Sequence, residues 1–213
     1  LPVDHADIET LKTINSFHTK LEDIGLKLKT GLTVDFRNEE YLTNNASNNS
    51  VPLFSSIHFD KGFIKFPSKE DEQQYVSKDN TALLQKNTNS LFIKRFSSKE
   101  ENRRIQPVMY FKKDFANYEY ISTENHINFI GSIDKKDINE DVIYGLYGIY
   151  NSTLYDKYYR ILNGSTQVNA TEINNIPIPN ENTIKNIGKR LQEKVNITTE
   201  ICDNVLLEAI SNE

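Results

Sequence analysis

Residues 91–111 read LFIKRFSSKEENRRIQPVMYF. The two ends, 91–96 and 107–111, are apolar, aromatic and β-branched, and each is too short for a helix, while the middle is serine and charge. That is the pattern of two strands joined across a surface connection. Working outward, LTVDF (32–36), VPLFSSIHF (51–59), GFIKF (62–66), YEYI (118–121) and HINFIG (126–131) read as further strands. Between them, DKG (60–62) is a hairpin turn and TNNASNNS (43–50) an exposed polar loop. Ahead of these runs the period changes. Ile8, Leu11, Ile14, Phe17, Leu21 and Ile24 follow helical spacing, so a helix is expected over 7–24, capped by Asp4 or Asp7 and stopped at Gly25. After residue 137 the chain turns helical again, in INEDVIYGLYGIYNS and then STLYDKYYRIL, where Ser152 is placed to cap the second piece and Leu154, Tyr158 and Ile161 share a face. Asn180 is placed to cap a last helix striped by Ile184, Ile187, Leu191, Val195, Ile201, Val205 and Leu206. The expected class is α+β: a mainly antiparallel sheet flanked by an N-terminal helix and C-terminal helices.

With 213 residues, 37% hydrophobic, the chain is long enough for one good core. No apolar run reaches membrane-spanning length and no leader opens the chain, so a soluble, cytoplasmic protein with no membrane partner is expected. The single Cys202 excludes an internal disulfide, and His5, His18, His58 and His126 lack metal-ligand spacing, so no metal is assigned. The lone methionine is internal, Met109, which points to a piece of a longer protein. Net charge is −5, against a nucleic-acid binder taken globally, but residues 86–113 carry eight basic and two acidic side chains. The surplus acid lies in SKEDEQQ (68–74) and KKDINED (135–141).

Catalytic signatures are sparse. Gly145 and Gly148 sit in an apolar helix, where they suit close packing rather than phosphate binding, and no Gly-x-Ser-x-Gly elbow or Cys/His pair occurs. IDKK (133–136) offers Asp134 and Lys136, with Glu124 or Asp114 as a second carboxylate, to a magnesium nuclease, but such triplets are common by chance and a solvated turn is the favoured reading. The basic cluster is the stronger lead: Lys94, Arg95, Lys99, Arg103 and Arg104, with Ser97 and Ser98, would meet successive phosphates from one surface. The competing arrangement pairs Glu100 and Glu101 with Arg103 and Arg104. In YYRILNGSTQVNATEINNIPIP (158–179), Asn163-Gly164 makes a turn, and Ser165, Thr166, Gln167 and Asn169 offer donors and acceptors either to base edges or to their own backbone. Ile176-Pro177-Ile178-Pro179 then forces an extended exit.

Three segments in order, GLKLKTGLTVDFRNEEYL (25–42), LFIKRFSSKEENRRI (91–105) and GIYNSTLYDKYYRILNGSTQVNATEINNIPIP (148–179), resemble the C-terminal target-recognition region of adenine-specific DNA methyltransferases of type II restriction-modification systems, fused restriction-modification enzymes included. The last segment also resembles the end of a recognition domain in type I specificity subunits, which leaves a helix-mediated scaffold as an alternative. The resemblance implies that 1–24 leads in from an upstream catalytic methyltransferase domain, that 25–179 recognises double-stranded DNA and that 180–213 is a C-terminal helix. It also implies that S-adenosylmethionine belongs to the parent enzyme and that this fragment has no cofactor of its own. The six prolines are isolated from one another, so the family's Asn/Asp-Pro-Pro-Tyr motif is absent and the fragment is not expected to methylate alone. The DNA-contact candidates are Arg37, Lys94, Arg95, Lys99, Arg103, Arg104, Gln167 and Asn169; for Arg37 an ion pair with Glu39 or Glu40 is the alternative. Because the 163–179 pattern recurs among domains that read different sequences, it is assigned chiefly a structural role. Base readers are sought in TNNASNNSVP (43–52) and KDNTALLQKNTNS (78–90).

Overall fold

The structure is a computed structural model and describes residues 4–68 and 73–211. Residues 70–72, counted above as surplus acid, lie outside that range. The strands are β1 (Leu26–Thr30), β2 (Leu42–Thr43), β3 (Ser50–Phe54), β4 (Phe59–Asp60), β5 (Phe63–Ile64), β6 (Tyr75–Ser77), β7 (Gln85–Lys86), β8 (Ser90–Lys94), β9 (Pro107–Tyr110), β10 (Tyr120–Thr123) and β11 (Ile127–Ser132). The helices are α1 (His5–Asn15), α2 (Asp35–Asn38), α3 (Glu140–Tyr150), α4 (Thr153–Leu162), α5 (Ala170–Asn175), α6 (Glu181–Gln192) and α7 (Thr199–Ile210). One sheet has the order β1-β11-β8-β9-β5-β4 and the other β2-β6-β3-β10-β7. Pairing is antiparallel except β5 with β9 and β3 with β10, so the α+β class and the mainly antiparallel pairing are both present.

Side chains of the six-stranded sheet divide between two cores, as alternation along a strand requires. Leu28, Ile130, Leu91, Ile93 and Met109 face the helices, in a core that also takes Ile14 and Leu21 from the opening segment and Leu191, Cys202 and Leu206 from the last two helices. Phe92, Val108, Tyr110, Ile127 and Phe129 face the other way and meet Phe54 and Ile121 of the second sheet. Rings dominate that second core: Phe92 and Tyr110 stack at 5.0 Å, and Phe54 lies edge-on to Tyr110 at 5.1 Å. Each such fully buried side chain stabilises the fold by roughly 1.5–3 kcal/mol. Glycine permits the tightest helix contact, that of α3 with α6. A Cβ on Gly145 would fall 2.1 Å from the Ile184 carbonyl oxygen, and one on Gly188 would fall 1.8 Å from that of Asp141.

Three sequence expectations fail locally. The opening helix ends at Asn15 rather than Gly25, because Thr19 leaves it to pair with Ile178, whose amide donates to the Thr19 carbonyl at 2.8 Å. Gly25 still terminates a helical turn, the short 3-10 turn Glu22–Ile24, at φ +72°. Residues 32–36 are not a strand; β1 ends at Thr30, only Thr33 makes an isolated parallel bridge, with Glu124, and α2 follows, leaving Phe36 79% exposed. The last helix is two, α6 and α7, folded back on each other, with Val195 in the connection and 97% exposed. The DKG turn is as expected: Asp60 pairs with Phe63 across Lys61 and Gly62, both at positive φ, the two-residue hairpin geometry.

Candidate nucleic-acid interface

Strand register brings the candidate residues to one end of the six-stranded sheet. Lys94, where β8 ends, pairs with Ile127, where β11 begins; Thr30, the end of β1, pairs with Asn128; Pro107, the start of β9, pairs with Ile93. The connections 31–38, 95–106 and 124–126 therefore emerge together. The second sheet joins them, because the Phe54 carbonyl at the end of β3 accepts from the Glu124 amide at 2.8 Å.

Segment 163–169 closes this end, held by an isolated antiparallel bridge of Gln167 with Phe96. The Ser97 amide donates to the Thr166 carbonyl at 3.0 Å, the Val168 amide to the Arg95 carbonyl at 2.7 Å, and Asn128 Nδ2 to the Val168 carbonyl at 2.8 Å. Its own polar side chains are largely spent on holding it. The Tyr159 hydroxyl donates toward Glu172 at 2.8 Å and accepts from Asn163 Nδ2 at 2.6 Å and from the Asn169 amide at 3.1 Å. Burial pushes that phenol up to about 12. Asn169 caps α5 by accepting from the Thr171 amide at 2.8 Å, and Asn174 clasps the edge of β1 by bonding both the amide and the carbonyl of Leu28. Tyr155 donates to the Pro177 carbonyl at 2.9 Å, fixing the extended exit. These are the local side-chain-to-backbone bonds for which Asn, Ser and Thr are suited. The side chain of Gln167 is exposed beside Phe96, with which it forms an isolated bridge.

The five cations of 94–104 do not share a surface, which corrects the expectation. Arg104 is 0% exposed: its Nε donates to Ser97 Oγ at 3.1 Å, its Nη2 to the Ser165 carbonyl at 2.6 Å, and its guanidinium lies 5.7 Å from the Tyr159 ring. Arg103 is half-buried on the far side, where its Nη2 donates to the Ser152 carbonyl at 2.6 Å; burial draws its pKa down, against the nearby charges of Asp156 and Asp203. Neither pairs with Glu100 or Glu101, since Glu101 takes Lys94 at 3.1 Å and Gln106. Both arginines instead brace the 98–106 connection, which Asp156 and Arg160 hold from α4: Asp156 accepts from the Arg104 amide at 2.6 Å, and Arg160 donates to the carbonyls of Lys99 and Glu101.

What remains at the surface is Arg37, Lys99 and Gln167, with Lys94 and Arg95 half-exposed; Asn169 is exposed too, but its Oδ1 is spent on the cap of α5. Arg95 donates to the Asn125 carbonyl at 2.9 Å and lies 5.3 Å from the Phe96 ring; Lys99 is exposed; Arg37 lies 5.3 Å from the Phe36 ring and makes no ion pair with Glu39 or Glu40. His126, edge-on to Phe96 at 5.2 Å and 2.6 Å from Glu124 through Nδ1, completes the patch. The sheet's opposite end is neutralised by contrast: Lys112 meets Asp137 at 3.1 Å, Lys113 meets Glu140 at 2.7 Å and Lys136 meets Asp134 at 2.6 Å. Sequence reading passed over Phe36, Phe96 and His126 because all three fell in runs taken as strands. The loop 43–49 is exposed but enters β3 at the end remote from Phe54. In the other loop searched for base readers, Asn87 is 1% exposed and spent on the carbonyls of Phe115 and Tyr118.

The nuclease candidates do not assemble. Asp134 is held down to about 2, chiefly by Lys136 and then by Ser132, in an exposed turn, whereas Glu124 is committed to His126. Among the described residues no group of three or more His, Cys, Asp and Glu is placed to hold a metal ion, and no helix is long and apolar enough to cross a membrane.

No protein-family model matches the chain. Its relatives are type II methyltransferases. M.BsuBI of Bacillus subtilis is 34% identical over 196 residues, covering 91% of this chain and 39% of its own length. M.PstI of Providencia stuartii is 33% identical over 179 residues, covering 80% of this chain and 34% of its own length. The chain thus spans little more than a third of the relatives it matches.

Proposed function

We propose that this chain is the DNA target-recognition part of a cytoplasmic type II adenine-specific methyltransferase. On this reading, residues 25–179 grip duplex DNA, the opening segment leads in from an upstream catalytic domain that binds S-adenosylmethionine, and 180–213 brace the recognition core. The observation that carries it is the asymmetry of the six-stranded sheet: at one end Arg37, Arg95 and Lys99 gather beside Gln167 and form no ion pair among the described residues, while at the other Lys112, Lys113 and Lys136 are each paired with a carboxylate. Unpaired guanidinium and ammonium groups give phosphate contacts, which set register and orientation, and an exposed Gln beside them can read a base edge. An enzyme that extrudes a base from the duplex needs such a grip on the flanking strands. The magnesium-nuclease reading has no comparable support, because its Asp134 is spent on Lys136.

The test is an exchange. In the parent enzyme, residues 25–179 are replaced by the matching region of a relative of different site preference, and transfer of tritiated methyl groups to DNA is mapped. The site preference is expected to move with the exchanged region. A preference that stays with the upstream part overturns the assignment.

A further inference from the structure

Phe36 is, among the described residues, the most exposed aromatic side chain, at 79%. Exposure of one ring is ordinary, but this ring stands on a heavily fixed support. Gly31 passes so close to the β10–β11 turn that a Cβ would lie 2.1 Å from the Glu124 carbonyl oxygen. The Thr33 amide donates to the Thr123 carbonyl at 3.0 Å, and the Thr33 carbonyl accepts from the Asn125 amide at 2.8 Å. The Thr33 hydroxyl is 2.7 Å from that of Ser122, both fully buried. The α2 turn is then closed by the Val34 amide on Asn38 Oδ1 at 3.0 Å and by the Arg37 amide on the Val34 carbonyl at 2.9 Å. Asn125 ties the turn to the patch of Arg95 and Phe96, since its amide donates to Thr33 and its carbonyl accepts from Arg95 Nη1 at 2.9 Å. The fold thus presents an apolar ring, with the Arg37 guanidinium 5.3 Å from its centre, at the end of the sheet where Arg95 and Lys99 also form no ion pair among the described residues.

We propose that Phe36 is a stacking wedge whose ring enters the base stack of bound duplex DNA while Arg37 meets the adjacent phosphate. The inference rests on the recognition reading given above and deepens it. Apolar side chains inserted at a base step partly unstack it, and the ordering cost is low here because the turn is already fixed. A step weakened by a mispair is opened more cheaply, so a wedge prefers it.

The chain contains no tryptophan, so Phe36→Trp installs a unique reporter in place of the ring. Wild type, Phe36→Ala and Phe36→Trp are titrated at low salt against two fluorescein-labelled 30-base-pair duplexes, one fully paired and one with a central mispair; circular dichroism confirms folding. Wild type and Phe36→Trp are expected to favour the mispaired duplex, and saturating DNA to quench the Trp emission. Phe36→Ala is expected to lose that preference, with affinity for the mispaired duplex falling about 5- to 100-fold, the effect of removing one aromatic–base stack. If the paired duplex is bound but Phe36→Ala matches wild type on both duplexes, or the Trp emission is unmoved at saturation, the wedge is overturned and the recognition reading stands. If wild type binds neither duplex, both fall.

Discussion

Replacing Arg104 by methionine separates a phosphate contact from a structural one. As a contact, Arg104 would contribute to DNA affinity and little to stability. As a group with no exposed surface, it should do the reverse. Its guanidinium makes two charge-assisted hydrogen bonds, to Ser97 Oγ at 3.1 Å and to the Ser165 carbonyl at 2.6 Å, each worth about 1.5–3 kcal/mol. Removing the buried charge returns part of that, since its desolvation cost disappears as well. Methionine fills most of the stem's volume and adds no large cavity. The net expectation is a loss of about 2 kcal/mol, and about 4 kcal/mol for Arg104→Ala, which leaves a cavity beneath Tyr159. Urea unfolding followed by circular dichroism reads both losses as a lower midpoint at unchanged slope. Duplex binding measured across salt concentrations should keep its slope in Arg104→Met, whereas Lys99→Gln should flatten it by about 0.9 with stability unchanged. An Arg104→Met chain as stable as wild type but with a reduced salt slope would refute the burial argument and restore Arg104 to the contact surface.

Gly188→Ala should destabilise by about 3 kcal/mol, because its Cβ meets backbone, the Asp141 carbonyl oxygen at 1.8 Å, and α3 and α6 must separate; Gly164→Ala, whose Cβ meets only Lys99 Nζ at 3.8 Å, should change chemical-denaturation stability by less than about 0.5 kcal/mol. Burial pushes Tyr147 and Tyr159 up to about 12 and Cys202 up to about 11, from ordinary values of 10.0 and 9.0. Below about pH 8 the folded and unfolded chains both keep these protons and stability is full; between about pH 8 and 12 the unfolded chain ionises first, the thiol before the phenols, so stability falls, by about 3 kcal/mol for each tyrosine. Tyr159→Phe should remove one such contribution from the alkaline limb of a thermal-denaturation series. Asp134→Asn should leave duplex binding unchanged, since its carboxylate serves only the Ser132–Lys136 turn.

Much of the architecture was legible because it rests on period and turn chemistry. The apolar runs flanking the basic connection became β8 and β9, paired with each other, and Lys61-Gly62 made the hairpin that DKG signals. Gly145 and Gly148 read as close-packing residues, and α6 does lie against them. What failed were features set by long-range pairing. Helical spacing runs unbroken from Ile8 to Ile24, yet Thr19 is claimed by Ile178, more than 150 residues away, and no local signal announces it. The stripe from Ile184 to Leu206 reads as one helix; only the run 193–198, without a residue that must be buried except by that assumption, marks the reversal at Val195.

The candidate site shows the same division more sharply. Charge counting singles out the 94–104 connection but not which of its cations face water, because a guanidinium can serve phosphate or carbonyl equally well. Arg104 is drawn inward by acceptors that the fold itself creates: the Ser165 carbonyl is turned toward it by Asn163, whose Oδ1 accepts from the Ser165 amide at 2.5 Å. Segment 163–169 and Arg104 therefore form one structural unit. Its other polar residues bind each other and leave Gln167 of the segment and the neighbouring Lys99 exposed, with Arg95 half-exposed beside them. On the proposed reading, a region built this way can keep its closing segment constant apart from the exposed Gln167 while the neighbouring surface varies. A change of target sequence should accordingly map to Gln167 and to the 31–38 and 124–126 connections, and not to Asn163, Tyr159 or Arg104. Selecting parent-enzyme variants with altered methylation sites tests this, and recurrent hits at Tyr159 or Asn163 in well-folded variants would contradict it.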